Sequence, residues 1–313
     1  MATKKFKPSG LLAQIDEHIT SPLKLDSRAK HLYPTGASCV GEDDQLRGSC
    51  SRAVAYDYMG INKTNDFTPE TMYTFAMGKK VEDMVVEWTK EMGIFAARNI
   101  KFFDPYFHLS GELDIVLRES PGSEILYGVE CKSSHGNYFK TEVITGKAGK
   151  PPAPKDDHIM QVMMYLSNFP TLKYFILVYI GRDEFARTEY IIRLVQVDND
   201  WYPEITHGDF SKIDMNFSLS RIYNRYVDTL RNIKKGILPA RDYKPVMTQE
   251  EMDIELSTGR LYKSQMKKFQ DGEIMTAHWR CRYCSFKSLC RSMPEGPVDN
   301  FIKRFDEQEW NLA

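Results

Sequence analysis

The alternation of apolar and polar positions is clearest between Gly111 and Ser134, in GELDIVLRESPGSEILYGVECKSS. Two apolar-rich runs flank the turn residues Ser120, Pro121 and Gly122. The stretch therefore predicts a β-hairpin with Asp114 on its first arm and Glu130 and Lys132 on its second. Side chains alternate faces along a strand, so Glu130 and Lys132 point one way while Cys131 points into the core between them. Upstream, Thr68 and Pro69 predict a helix start, a capping hydroxyl followed by proline at the first helical position. Met77, Val81, Met84, Val85, Trp88 and Met92 recur on one face and predict its buried stripe, with Gly78 and Glu82 one turn apart on its flank. An interior glycine costs a helix about 1 kcal/mol, which points to close backbone approach at Gly78. An isolated Glu82 reads equally as a solvated surface acid.

Ile94 to Phe103 reads as a strand before the hairpin. The run from His135 to Lys155 is polar and rich in Gly and Pro, the composition of an irregular loop. In DHIMQVMMYLSNF, Ile159, Val162, Met163 and Leu166 predict the inner face of a short helix and place His158, Gln161 and Tyr165 together on the opposite face. Lys173 to Ile180 is nearly continuous in apolar residues, the pattern of a strand covered on both faces, and Thr188 to Val197 predicts a strand returning beside it. From Asp198 the composition shifts, Asn216 to Lys235 has helical periodicity through Ile222, Tyr226, Leu230 and Ile233, and Thr248 with Glu251 forms a capping-box signature. Residues 1–65 read as helical and irregular, with Cys39 in a loop and Cys50-Ser51-Arg52 opening a helix. The expected division is 1–65 as an N-terminal helical segment, 66–197 as the core, and 198–313 as a C-terminal helical region.

A chain of 313 residues has room for two ordinary domains or one elaborated core, and 42% hydrophobic residues suffice for a real interior. The net charge of -1 excludes an overall basic signature, so any nucleic-acid surface must be local. The charged opening MATKKFKPSG is not a secretory signal, and the longest apolar run, Tyr174 to Ile180, is too short to span a bilayer. A cytoplasmic, reducing location is expected. There the six cysteines are expected as metal ligands or buried thiols rather than disulfides.

Two carboxylates and an ammonium on one sheet face are costly unless a metal or phosphate completes them. Such oxygen ligands suit Mg²⁺ or Mn²⁺, and Lys132 could orient the attacking water or help deprotonate it. The Glu-x-Lys pattern alone is weak, since charge pairs on exposed sheet faces are common. The loop behind it carries Lys140, Lys147, Lys150 and Lys155 with Tyr138 and Phe139, a combination that suits single-stranded nucleic acid as well as it suits a solvated loop. Arg260, Lys263, Lys267 and Lys268 read as a solvated face or a second phosphate-binding patch. Gln161 and Tyr165 could contact a phosphate or orient water. Near the C-terminus, Cys281-x-x-Cys284 and Cys290 supply three metal ligands within ten residues. Cys50, Cys39, His278 and Cys131 are the candidates for a fourth. Spacing leaves zinc and an iron-sulfur cluster both open. Either would be a structural clasp between the N- and C-terminal segments.

With these residues laid out, the chain resembles the PD-(D/E)XK nuclease superfamily, specifically its RecB-like branch with a four-cysteine iron-sulfur cluster, similar to the AddB nuclease domain and the RecB-like nucleases of CRISPR adaptation. Gly78-x-x-x-Glu82 matches the first motif, Gly111-x-x-Asp114 the second, Glu130-x-Lys132 the third and Gln161-x-x-x-Tyr165 the motif that marks the branch. Cys50, Cys281, Cys284 and Cys290 match its four cysteines. The resemblance implies an α/β fold with a restriction-endonuclease-like central mixed sheet flanked by helices, and N- and C-terminal helical segments clasped by the cysteine metal cluster. It implies Mg²⁺ or Mn²⁺ on Glu82, Asp114, Glu130 and the backbone carbonyl of Cys131, with Lys132 acting on the water, and a 4Fe-4S cluster with zinc as the alternative. Glu82 stands where the family usually has histidine, with Asp83 a competing ligand, and Leu113 stands where the name-giving proline would be. The implied function is a metal-dependent DNA nuclease, an exonuclease preferring single strands or free ends in end processing, recombination or repair. The implied partners are DNA and proteins of recombination or CRISPR type, with no membrane. Its rivals are an endonuclease of restriction or spacer processing, and an inactive metal-clasped nucleic-acid-binding module.

Overall fold

A computed structural model describes residues 11–20, 30–63, 68–258, 263–271 and 277–301; Arg260 and the side chains of Tyr138 and Lys263 lie outside the described residues. In chain order the elements are α1 (Leu11–Thr20), β1 (Ser38–Val40), β2 (Leu46–Gly48), α2 (Ser51–Met59), α3 (Pro69–Glu91), β3 (Phe95–Asp104), β4 (Leu109–Arg118), β5 (Leu126–Ser134), α4 (Asn137–Phe139), α5 (Asp156–Asn168), β6 (Leu172–Gly181), β7 (Arg187–Val197), β8 (Asp200–His207), β9 (Phe210–Ile213), α6 (Leu219–Lys234), α7 (Gln249–Ser257), α8 (Lys263–Gln270), α9 (Trp279–Arg282) and α10 (Lys287–Ser292). They fall into two units. One takes the described residues of 11–20, 68–103 and 111–214, the other those of 30–63, 104–110 and 215–301.

The first unit is mixed α/β, built on a seven-stranded sheet of order β3-β4-β5-β6-β7-β8-β9. β5 and β6 run parallel with α5 between them in sequence, while β4/β5, β6/β7, β7/β8 and β8/β9 are antiparallel. Strand alternation sorts the side chains onto two faces. Val86 of α3 packs with Ile115, Leu117, Tyr127 and Val129, and Cys131, Tyr174, Ile176 and Val178 border that cluster. The opposite face carries Phe175 and Tyr179, whose rings meet Tyr165 and His158 of α5.

Thr68 caps α3 as its sequence predicts, accepting the Thr71 N–H at 3.4 Å. A Cβ at Gly78 would stand 3.4 Å from Ser133 Oγ, ordinary contact distance, so α3 lies against β5 there without an approach that requires glycine. The expected buried stripe of α3 holds at Val81, which is buried, and at Val85, which packs against the core, but not at its two ends. Val81, Val86 and Thr89 are the buried positions, while Met77, Trp88 and Met92 are at least half exposed. Sequence periodicity registers that α3 is amphipathic, but its rotation about the helix axis is set by what it packs on. In α5 every residue from Ile159 to Leu166 is buried, so Gln161 and Tyr165 face protein and not solvent. The expected loop after β5 contains the short helix α4 followed by a π-turn over Lys140–Ile144. The helical region expected from residue 198 also begins later, because β8 and β9 extend the sheet to Ile213.

The second unit combines α2, α6, the β1/β2 ribbon and the C-terminal helices. Cys39 sits buried in β1, not in a loop, and its Sγ donates to the Asn216 carbonyl at 3.5 Å. Ile222, Tyr226, Leu230 and Ile233 are the buried stripe of α6, and the Thr248/Glu251 capping box opens α7, both as expected. Arg52 is fully buried and donates to four carbonyls: Pro239 at 2.7 Å, Pro294 at 2.8 Å, Glu295 at 3.1 Å and Gly296 at 2.6 Å. It fastens α2 to the chain at Pro239 and at residues 294–296. Among the described residues no helix is long and apolar enough to cross a membrane.

Candidate active site and cysteine cluster

β4 and β5 pair from Arg118 with Leu126 to Ile115 with Val129, and Asp114 and Glu130 stand one residue beyond that last pair. β5 continues along β6, Glu130 opposite Leu177 and Lys132 opposite Tyr179. This register puts Asp114, Glu130 and Lys132 in one place, as alternation along the hairpin predicts. The Cys131 N–H donates to Asp114 Oδ2 at 3.4 Å.

Glu130 is buried, and all its hydrogen bonds fall on one oxygen. Oε1 accepts from Lys132 Nζ at 2.5 Å and from Gln161 Nε2 at 2.9 Å. Oε2 is buried with no partner. Gln161 also accepts from Lys132 Nζ through Oε1 at 3.1 Å and donates to the Tyr165 hydroxyl at 2.9 Å, and that hydroxyl donates to the Glu112 carbonyl at 2.9 Å. Gln161 and Tyr165 thus act on Glu130 and Lys132. Through these bonds they hold the two groups in place.

Burial, and next the Glu130 carboxylate, push the Asp114 carboxyl up to about 8; Lys132 opposes them and Glu82 adds to them. Burial works against the Lys132 ammonium, yet Glu130 and Asp114 outweigh it and hold its pKa above the ordinary lysine value. Lys132 is therefore a cation here, suited to holding water or phosphate oxygen. Burial also raises the Tyr165 phenol, with Glu130 reinforcing, so it stays neutral.

Glu82 lies among the charges acting on Asp114 and on Cys131. Its Oε1 accepts from Lys79 Nζ at 2.7 Å and Arg98 Nη2 at 2.8 Å, and the same Arg98 nitrogen reaches Asp83 Oδ1 at 3.0 Å. Arg98 is held by Asn99, which accepts its Nε at 2.8 Å, has a left-handed backbone with φ of 55° and itself donates to Glu112. Sequence reading missed Arg98. It is one arginine in a strand, and its position beside two acids arises only from the packing of α3.

His158 gains a defined state too. Tyr179 accepts the Lys155 N–H at 3.1 Å, leaving its own proton for His158 Nδ1 at 2.8 Å. Burial, then Lys132 and Lys155, depress the imidazole pKa well below the ordinary range, so the ring is neutral. Three of the four loop lysines are paired, Lys140 with Glu184, Lys147 with Glu142, and Lys150 with Glu142 at 3.0 Å, while burial lowers the Lys155 pKa. Any phosphate would have to displace these carboxylates, so the positive charge expected of this loop is largely balanced.

In the second unit Cys50 caps α2, Cys281 lies in α9, Cys284 follows it and Cys290 lies in α10. Burial raises the Cys50 thiol, with Asp242 adding. Burial, then Cys50 and Cys290, raise Cys281 to about 11, and burial, then Cys290, Cys50 and Cys281, raise Cys284 to about 11. Cys281 and Cys284 are thus disfavoured as thiolates by burial and by their cysteine neighbours, an arrangement that suits a positively charged centre. The Phe286 N–H already points at Cys284 Sγ, at 3.4 Å. The Tyr56 hydroxyl, which feels the charge of Cys290 and Cys50, is buried without a partner. Among the described residues no group of three or more His, Cys, Asp or Glu is gathered as a single-ion site.

No protein-family model matches the chain, and no curated protein does. Among solved structures, the crystal structure of SSO0001 is similar over 89% of this chain and 93% of its own, with 17% sequence identity and a TM-score of 0.41.

Proposed function

We propose that this protein is a Mg²⁺- or Mn²⁺-dependent DNA nuclease that hydrolyses phosphodiester bonds, an exonuclease preferring single-stranded ends in DNA end processing, recombination or repair. The observation that carries the reading is the buried, unpartnered Glu130 Oε2 beside an Asp114 carboxyl that cannot ionise comfortably. The two buried carboxylates share the single Lys132 cation, which leaves room for a further positive charge. Asp114, Glu130, Glu82 and the Cys131 carbonyl supply the hard oxygen donors that Mg²⁺ or Mn²⁺ takes. When bound, the metal would polarise the scissile phosphate and acidify the attacking water. Lys132 and Gln161 hold Glu130 by Oε1, which leaves Oε2 available to a metal. The Lys132 cation stands where it can steady negative charge developing on the phosphate. Tyr165 fixes Gln161 to the backbone of β4. Cys50, Cys281, Cys284 and Cys290 would hold a 4Fe-4S cluster as a structural tie, since hydrolysis needs no redox step. The single-strand preference comes from the motif resemblance.

The test is Mn²⁺-dependent release of nucleotides from linear single-stranded DNA by wild type, Asp114→Ala and Lys132→Ala. Wild-type release that falls at least about 100-fold in both variants is expected, a loss typical of removing a group that acts on the transition state. Equal rates in wild type and Asp114→Ala would overturn the site. Cutting of circular single strands would make the enzyme an endonuclease.

A further inference from the structure

The C-terminal segment around the cysteines carries a feature the hydrolytic site does not use. The Tyr243 and His278 rings stack with centroids 4.1 Å apart and planes 7° from parallel, and Trp279 continues the series 6.0 Å from His278 at 30°. The Arg280 guanidinium lies 4.4 Å over the Trp279 ring and 5.7 Å over Tyr243. His278 is fixed in this stack because its Nδ1 accepts the Arg280 N–H at 3.3 Å, capping α9. Trp279 is 58% exposed, and Tyr283, one helical turn on, is 75% exposed. Large rings this open to water contribute little to a core, so their retention in a rigid array calls for an external partner.

The charge along this stretch of chain favours an anionic partner, although Asp242 and Glu295 also stand near Tyr243. From Ile274 to Pro294 there is no acidic residue, while Arg280, Arg282, Lys287 and Arg291 are basic, in a chain whose overall charge is -1. Aromatic faces interleaved with arginines are what single-stranded DNA uses: bases stack on the rings and phosphates meet the cations. We propose that Trp279 and Tyr283, backed by His278, Tyr243 and Arg280, form a stacking platform for single-stranded DNA. The platform extends the nuclease reading but binds without hydrolysis.

The experiment measures fluorescence anisotropy of a labelled short oligo(dT), and of an abasic strand of equal length, with the full chain in EDTA. Trp279→Ala is expected to weaken oligo(dT) binding about tenfold, as the loss of one base stack does, and to leave abasic binding unchanged. Trp279→Phe, which retains a ring, should restore most of the affinity. Undiminished oligo(dT) binding by Trp279→Ala overturns the platform. So does an equal loss on both strands, or duplex DNA bound as tightly as oligo(dT) with the same dependence on Trp279. The two readings fail separately. A protein that shows the Trp279 effect but cuts nothing with Mn²⁺ keeps the platform and loses the nuclease, and a protein that cuts but lacks the effect does the reverse.

Discussion

Glu130 combines two tasks by dividing them between its oxygens. Oε1 is held by Lys132 and Gln161, and Oε2 is buried and bare. Beside it, Asp114 stores the electrostatic cost of the site. Its pKa moves from an ordinary 3.8 to about 8 on folding, so between those values the native chain keeps a proton that the unfolded chain has released. Metal-free stability must then fall as pH rises through that window and level off above it. Thermal melts without metal are expected to show wild type declining from about pH 5 to about pH 8. Asp114→Asn should lose most of that slope and be more stable at pH 8 by on the order of 1 kcal/mol or more. Saturating Mn²⁺ should reverse the wild-type trend, because the ion takes the ionised carboxylate. An unchanged slope in Asp114→Asn would remove the electrostatic basis of the site. At this scale the three hairpin residues were legible because charge inside an alternating apolar strand stands out. Arg98 and the neutral state of His158 were not, since each depends on a neighbour brought from a distant part of the chain.

Among the elements, β5 and β6 carry the site through a close fit at Gly128. A Cβ there would meet the Phe175 ring at 2.3 Å, and Phe175 is fully buried and stacks with Tyr165 at 5.6 Å. Gly128→Ala is expected to cost about 1–3 kcal/mol in denaturant unfolding, the range for overpacking a close-packed interior. It should also reduce nucleotide release, because Tyr165 anchors Gln161 and Gln161 holds Glu130. A stable Gly128→Ala protein with wild-type activity would show that Phe175 has room to move. Helices were read less well than strands. The inward side of a strand follows from a period of two, whereas α3 tolerates several rotations of a broad apolar arc, and its exposed Trp88 and Met92 show which one packing selected. Gln161 and Tyr165 have the spacing of a surface pair, and their burial reflects the sheet beneath α5 and the continuation of protein around it.

For the molecule as a whole, the notable property is that the second unit gathers residues from far apart in sequence. Arg52 bonds to carbonyls of Pro239, Pro294, Glu295 and Gly296, and Cys281 and Cys284 both feel the charge of Cys50 and Cys290. A metal centre on those thiols would reinforce what Arg52 begins. Cys50→Ser and Cys290→Ser, despite lying in different segments, are therefore expected to lose the same metal in elemental analysis and to lower the melting temperature by several degrees each. Iron with absorbance near 400 nm would select the iron-sulfur cluster, and zinc alone the other centre. Full metal content in Cys50→Ser would break the proposed link between the two segments.

The amino-acid order alone determines the hairpin and its charged face, the caps at Thr68 and Thr248, the stripe of α6 and the spacing of the cysteines, because all of these arise between residues near in sequence. It also carries the motif order on which the family resemblance rests. The rotation of α3, the burial of Gln161 and Tyr165, the two extra sheet strands, the hold of Arg98 on Glu82 and Asp83, and the carbonyl cage around Arg52 belong to the folded chain. Each depends on non-local contacts, and their energies enter only when segments far apart in sequence are packed together.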